Sequence, residues 1–136
     1  MTDDFPPTPR QIVVKNSVWL ALPQYKTLTQ FGFANCDKRY AAIQDIEINY
    51  DEVETCIRWI NLFSEKITRR NKEYSSYYLK HRVEDFGRVI DQPTYVCNGS
   101  FIAAMMVCGY KAWPCDDNSP NAHFNAKYLQ HNFRKN

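Results

Sequence analysis

Asn98-Gly99-Ser100-Phe101-Ile102-Ala103-Ala104-Met105-Met106-Val107-Cys108-Gly109-Tyr110 contains no charged residue, and from Phe101 to Cys108 it contains no polar one. A surface helix shows one apolar stripe, whereas a segment that is apolar on every side must be enclosed by other elements. A buried strand competes with a helix here, because periodicity cannot separate the two over eight apolar residues. Two alanines, two methionines and a closing glycine favour the helix. Ser100 or Asn98 is suited to accept from the free N–H groups at its start, and Gly109 to take the left-handed conformation at its end. The rest of the chain is therefore expected to wrap this segment.

Moving outward, Asp51 to about Ile67 reads as an amphipathic helix. Val53, Cys56, Ile57, Ile60, Phe63 and Ile67 recur at steps of three or four, Trp59 and Leu62 widen the face, and Asp51 with Glu54 forms an acidic capping box. Thr68 to Tyr74 is polar and basic, a loop or frayed end. Ser75 or Ser76 then caps a second helix running to Phe86, with Leu79, Val83 and Phe86 on one side and Lys80–Glu84 and His81–Asp85 as i,i+4 pairs on the other. Gly87 is expected to stop it. Residues 88–97 and 110–113 read as extended and 114–120 as a loop, while the tail from Asn121, with Ala122, Phe124, Tyr128, Leu129 and Phe133, is expected to dock as a short irregular helix.

Nearer the N-terminus, Cys36 to Asn49 suits a short helix beginning after Asp37. Residues 11–22 form either two short strands or a strand and a helical turn, and residues 1–10, with Pro6, Pro7 and Pro9, form an extended arm. The fold expected is α+β and predominantly helical. It is a single compact domain over 11–136, in which a short buried helix (about 100–108) is packed by two amphipathic helices (about 51–67 and 76–86) and a few short N-terminal strands.

With 136 residues the chain has the length of one domain, enough to bury roughly two thirds of its unfolded surface without staples. Its 44% apolar and 24% charged residues are those of a globular protein rather than a disordered one. No run approaches the eighteen apolar residues of a membrane span, and Thr2-Asp3-Asp4 does not open a secretory signal. A cytoplasmic protein with no membrane partner is expected. Five cysteines, an odd number with no CxxC pair, argue for free thiols over a disulfide framework. Cys108, Cys115, His123 and His131 make a conceivable zinc set, but their spacing matches no established ligand pattern, so neither metal nor cofactor is expected.

The chain has no GxGxxG, P-loop, HExxH or GxSxG. His81 with Asp85 reads as a base with its orienting carboxylate, and Cys97 or Cys108 as a nucleophile, yet such a pair on an exposed helix is more often an ordinary contact. The expected protein is not an enzyme. Between Lys66 and Arg88 seven basic residues stand against three acidic ones, a net of +4 in a chain whose total is +2. Lys66, Arg69, Arg70, Lys72, Lys80, His81, Arg82 and Arg88, interleaved with Tyr74, Tyr77 and Tyr78, are the candidate nucleic-acid-binding residues: cations hold phosphates and tyrosines stack or hydrogen-bond. A helix-turn-helix is excluded, because Gly87 to Gly99 is too long a turn and the second helix too apolar to read bases. The alternative is a protein-binding module, such as an inhibitor of a host defence complex or a small dimer, anchored by Trp113, Tyr110 and Phe133.

The blocks Ser76-Tyr77-Tyr78-Leu79-Lys80-His81-Arg82-Val83-Glu84, Tyr95-Val96-Cys97-Asn98-Gly99-Ser100-Phe101-Ile102-Ala103-Ala104, Gly109-Tyr110 and Pro120-Asn121-Ala122-His123-Phe124-Asn125 resemble a group of small proteins of bacterial phages, plasmids and genomic islands. That group shares the pattern S-Y-x-L-K-H-x-x-E, Y-V-x-N-G-x-F-I-A-A, G-Y and P-N-A-x-F-N. The resemblance covers about the last half of the chain, and the connection from Gly87 to Thr94 is longer than the pattern's. It implies an accessory protein of a phage or other mobile genetic element and assigns no residue a catalytic or binding role.

Overall fold

The computed structural model describes residues 26–35, 49–92, 95–116 and 119–129. The arm at 1–10, the strands of 11–22 and the helix expected after Asp37 lie outside the described residues. Those described form three helices and five strands in two sheets, an α+β fold that is not predominantly helical.

An antiparallel hairpin comes first, β1 (Lys26–Thr29) and β2 (Gly32–Asn35). Helix α1 (Tyr50–Phe63) follows, capped by Asn49, whose side chain accepts the Glu52 N–H at 3.2 Å, and not by the Asp51–Glu54 pair. Val53, Cys56 and Ile60 form its buried stripe with Trp59 beside them. The helix ends at Phe63, short of Ile67, because Ser64 is already extended. Ser64–Asn71 is strand β3, where a last helical turn and a loop were expected. Ile67 fits a helical step and a strand equally well, and the choice is made by a partner from far along the chain.

Helix α2 (Ser76–Val89) is capped by Ser75, whose hydroxyl accepts the Tyr78 N–H at 3.3 Å. It runs through Gly87, which was expected to stop it. Gly87 is buried in the last turn, and the chain turns away at Asp91, whose φ is 59°. Helix α3 (Asn98–Val107) is buried from Asn98 to Met106 and is ended by Gly109 at φ 90°. Beyond it come β4 (Ala112–Pro114) and β5 (Ala122–Tyr128), a strand in place of the irregular helix expected for the tail. β5 is the middle strand of the sheet β3-β5-β4, with Ser64 opposite Tyr128, Lys66 opposite Ala126, and Ala112 opposite Phe124. Its alternate residues Ala122, Phe124 and Ala126 are fully buried, the period-two pattern of a strand covered on one face.

Both other helices, the hairpin and β4 pack against α3. Trp59 ties the layers together, with its ring 6.0 Å from Phe101 and 6.1 Å from Tyr128. A buried bond from the Ala122 N–H to the Ser76 hydroxyl, 2.9 Å long, locks α2 to β5. Neither Ser100 nor Asn98 caps α3, because the hairpin's turn does so: Gly99 N–H donates to the Gln30 carbonyl at 3.0 Å. This close approach requires glycine, since a Cβ at Gly99 would lie 1.9 Å from the Thr29 carbonyl oxygen.

Candidate functional site

The eight basic-face candidates do not share one open surface. Lys66 and Arg69 are exposed on β3, and Lys72 is exposed in the turn after it. The Lys66 ammonium lies 5.5 Å from the Tyr110 ring, next to Gly109, at the helix end where a cation is favoured. The pairing of β3 with β5 shifts register between Lys66 and Asn71, and Arg70 leaves this irregularity to bond the Pro114 carbonyl at 3.0 Å and His123 Nδ1 at 3.1 Å. Arg82 donates to the Tyr78 hydroxyl at 3.0 Å, and Arg88 pairs with Asp85. Where an i,i+4 pair of His81 with Asp85 was expected, His81 meets Glu84 at 2.9 Å and Asp85 pairs with Arg88. Lys80, expected on the outer side of α2, is 2% exposed.

Lys80 instead lines an open pocket of about 490 Å³. Its walls are the hairpin turn (Gln30, Phe31), the start of α2 (Tyr77, Lys80), the lead into α3 (Tyr95, Cys97, Asn98) and the Pro120–Asn121 segment. Asn98 fastens three of these together. Its amide nitrogen donates to the Phe31 carbonyl at 3.0 Å and to Asn121 Oδ1 at 3.0 Å, and lies 3.4 Å from the Pro120 carbonyl. Each sequence block that carries the resemblance, Gly109-Tyr110 apart, contributes two or three residues to this concavity: Tyr77 and Lys80, then Tyr95, Cys97 and Asn98, then Pro120 and Asn121.

The pocket's electrostatics centre on Glu84. Its carboxylate accepts from Lys80 Nζ at 3.3 Å and from the Val96 N–H at 3.0 Å, and meets His81 Nδ1 at 2.9 Å. Burial would push this carboxyl up, but the Val96 N–H, His81 and Lys80 outweigh it and hold the group below the usual glutamate range. The Lys80 ammonium also sits 4.4 Å from the Tyr95 ring and 5.3 Å from the Tyr77 ring. Those rings stand 67% and 52% exposed, and Phe31 across the pocket 73%. On the outer side of α2, Tyr77 meets His81 edge-on at 4.8 Å, and Tyr78 stacks on Tyr74 at 4.8 Å.

Nucleophilic chemistry is poorly served here. Burial, and then the charge of Glu52, push the Cys97 thiol up against the opposing pull of Lys80, so it stays protonated and weakly nucleophilic. A second cysteine has a histidine at hand, with Cys115 Sγ 3.4 Å from His123 Nε2. Arg70 gives that pair the wrong polarity. A guanidinium only donates, so Nδ1 must accept and Nε2 must carry the proton. A Cys–His base needs Nε2 free and a carboxylate or amide oxygen at Nδ1, and a metal bound at Nε2 would put a proton on Nδ1 facing the arginine. Burial, then Arg70 and Lys72, also keep His123 neutral to lower pH. Among the described residues no three His, Cys, Asp or Glu side chains gather as a metal group.

Phe31, Tyr95 and Asn98 escaped the reading of charge as binding residues, since none is charged and Phe31 lies far from the basic stretch. Lys80 was marked by its position one turn from a glutamate, but the cover over it could not be inferred. Among the described residues no helix is long and apolar enough to cross a membrane. Comparison with family models, with curated proteins and with solved structures finds no match for the chain.

Proposed function

We propose that the chain is a non-enzymatic binding protein for nucleic acid and that it takes the unpaired strand in preference to the duplex. The observation carrying this reading is the group of exposed rings, Phe31, Tyr77 and Tyr95, around the Lys80 pocket. Bases in a duplex hide their faces, whereas an unpaired strand offers them for stacking on aromatic side chains, with nearby cations meeting the backbone. Lys66, Arg69 and Lys72 supply exposed charge for phosphates, Arg88 is exposed but paired with Asp85, and Arg70 and Lys80 are removed from that role by their internal partners. The setting in a phage or other mobile element rests on the sequence resemblance, and the cytoplasm is the compartment proposed from the sequence reading.

Fluorescence anisotropy with one labelled oligonucleotide, alone and annealed to its complement, tests this reading. The single strand should bind more tightly, with affinity falling as salt rises, and Arg69→Ala with Lys72→Ala should weaken binding and flatten the salt slope. Absence of binding to either form at low salt would remove the proposal. The second reading, a protein-binding module, is favoured by the same exposed Phe31 and Tyr95, since aromatic side chains anchor interfaces. Of the anchors first expected for it, Tyr110 is buried, Trp113 is half-buried and Phe133 lies outside the described residues.

A further inference from the structure

We propose that the Lys80 pocket receives a single nucleobase and reads it through a carbonyl oxygen, so that thymine, uracil and guanine are taken in preference to adenine. This rests on the nucleic-acid reading above and adds the chemistry of one position. A volume of about 490 Å³ lies in the range of pockets for small ligands and accommodates one base with its sugar. The exposed faces of Tyr95 and Phe31 offer the flat apolar surface on which a base lies.

The edge of the base is then directed at Lys80, which is only 2% exposed with the Tyr95 and Tyr77 rings against its ammonium, so that a ring yields its place there as the base enters. An ammonium has three protons to donate, and here one goes to Glu84 while the flanking partners are the faces of Tyr95 and Tyr77. A ring face is a weaker acceptor than a carbonyl oxygen, so an incoming carbonyl improves the bonding of Lys80 without disturbing the ion pair. A phosphate at the same place would confront the Glu84 carboxylate, 3.3 Å from the ammonium that would have to hold it. The Lys80–Glu84 pair carries no net charge and therefore selects a neutral acceptor over an anion. Adenine has no carbonyl oxygen to offer the ammonium, while thymine, uracil and guanine each present one, as does cytosine at its C2 position.

The test is a short oligodeoxyadenylate compared with the same strand carrying one central thymine, in which backbone charge and length are held constant. The thymine should tighten binding about tenfold, equivalent to ~1.4 kcal/mol. Lys80→Met should abolish that difference while leaving the salt dependence of the oligodeoxyadenylate unchanged. Tyr95→Ser, at a side chain that is 67% exposed, should also abolish it and serves where Lys80→Met fails to fold. Equal affinity for the two strands, or a thymine preference that survives Tyr95→Ser, overturns the pocket and leaves the binding of single strands standing. If neither strand binds at low salt, the broader reading falls and this one falls with it.

Discussion

Lys80 and Glu84 lie one helical turn apart with ammonium and carboxylate at 3.3 Å, and their side chains are only 3% and 13% exposed. An i,i+4 pair on an open helix contributes a few tenths of a kcal/mol. Enclosure changes what the pair does, since each charge has been taken from water and depends on the other. Glu84 also accepts the Val96 N–H just before α3, so the pair joins α2 to the lead into the buried helix.

Removing one member should be far more damaging than surface-pair values suggest. Glu84→Ala strands the Lys80 ammonium and frees the Val96 N–H, and is expected to lower stability by about 3 kcal/mol. Lys80→Met should cost less, because Glu84 keeps Val96 and His81. Urea denaturation of the two variants gives the comparison, and equal losses would contradict this account.

Acid should weaken the fold through the same group. The Glu84 carboxyl is held below its ordinary value when folded, so the unfolded chain binds its proton first as pH falls. The stabilisation is complete above the unfolded glutamate value of about 4.3 and is lost as pH drops through the depressed folded value. The urea midpoint of the native protein should decline over that window more than the midpoint of Glu84→Gln.

His123 should titrate below an ordinary histidine, because burial and then Arg70 and Lys72 oppose its protonation. Arg70→Ala is expected to raise its pKa part of the way, since burial and Lys72 remain. Imidazole NMR signals followed through pH report the shift, and their nitrogen frequencies should show the proton on Nε2. A proton on Nδ1 would restore the base and metal readings of the Cys115–His123 pair.

Gly99→Ala should loosen the hairpin that walls the pocket. The added Cβ would sit 1.9 Å from the Thr29 oxygen, which is backbone and cannot turn aside. A loss of about 2 kcal/mol is expected, as for overpacking elsewhere. Chemical-shift changes should concentrate in residues 26–35 and around Asn98, and a variant as stable as the native chain would mean that the hairpin is not seated there.

The true cap of α1 can be checked by paired substitutions. Asn49→Ala removes the acceptor of the Glu52 N–H and should cost about 1 kcal/mol, while Asp51→Ala should cost only the few tenths due to a charge near the helix dipole. The opposite order in urea melts would return the cap to Asp51.

The three helices were legible along the chain because helical order is local. Val53, Cys56 and Ile60 recur at helical steps, Leu79, Val83 and Phe86 do the same, and Phe101 to Met106 have no polar side to show to water. Ends were less legible. Gly87 looked like a stop, yet the chain accommodates it inside a turn packed on Gln92, and Asn49 caps a helix whose acidic first turn drew the attention instead.

Local sequence was thus sufficient for an enclosed helix and the two amphipathic helices that cover it, since each is written in residues three or four apart. It was insufficient for the sheet and for the pocket. Ser64–Asn71 becomes a strand because Ala122–Tyr128 lies beside it, and a ladder's hydrogen bonds belong to two segments at once. Lys80 becomes a buried group with aromatic walls because Phe31 arrives from the hairpin and Tyr95 and Asn98 from the lead into α3, and the dielectric around a charge depends on everything that surrounds it.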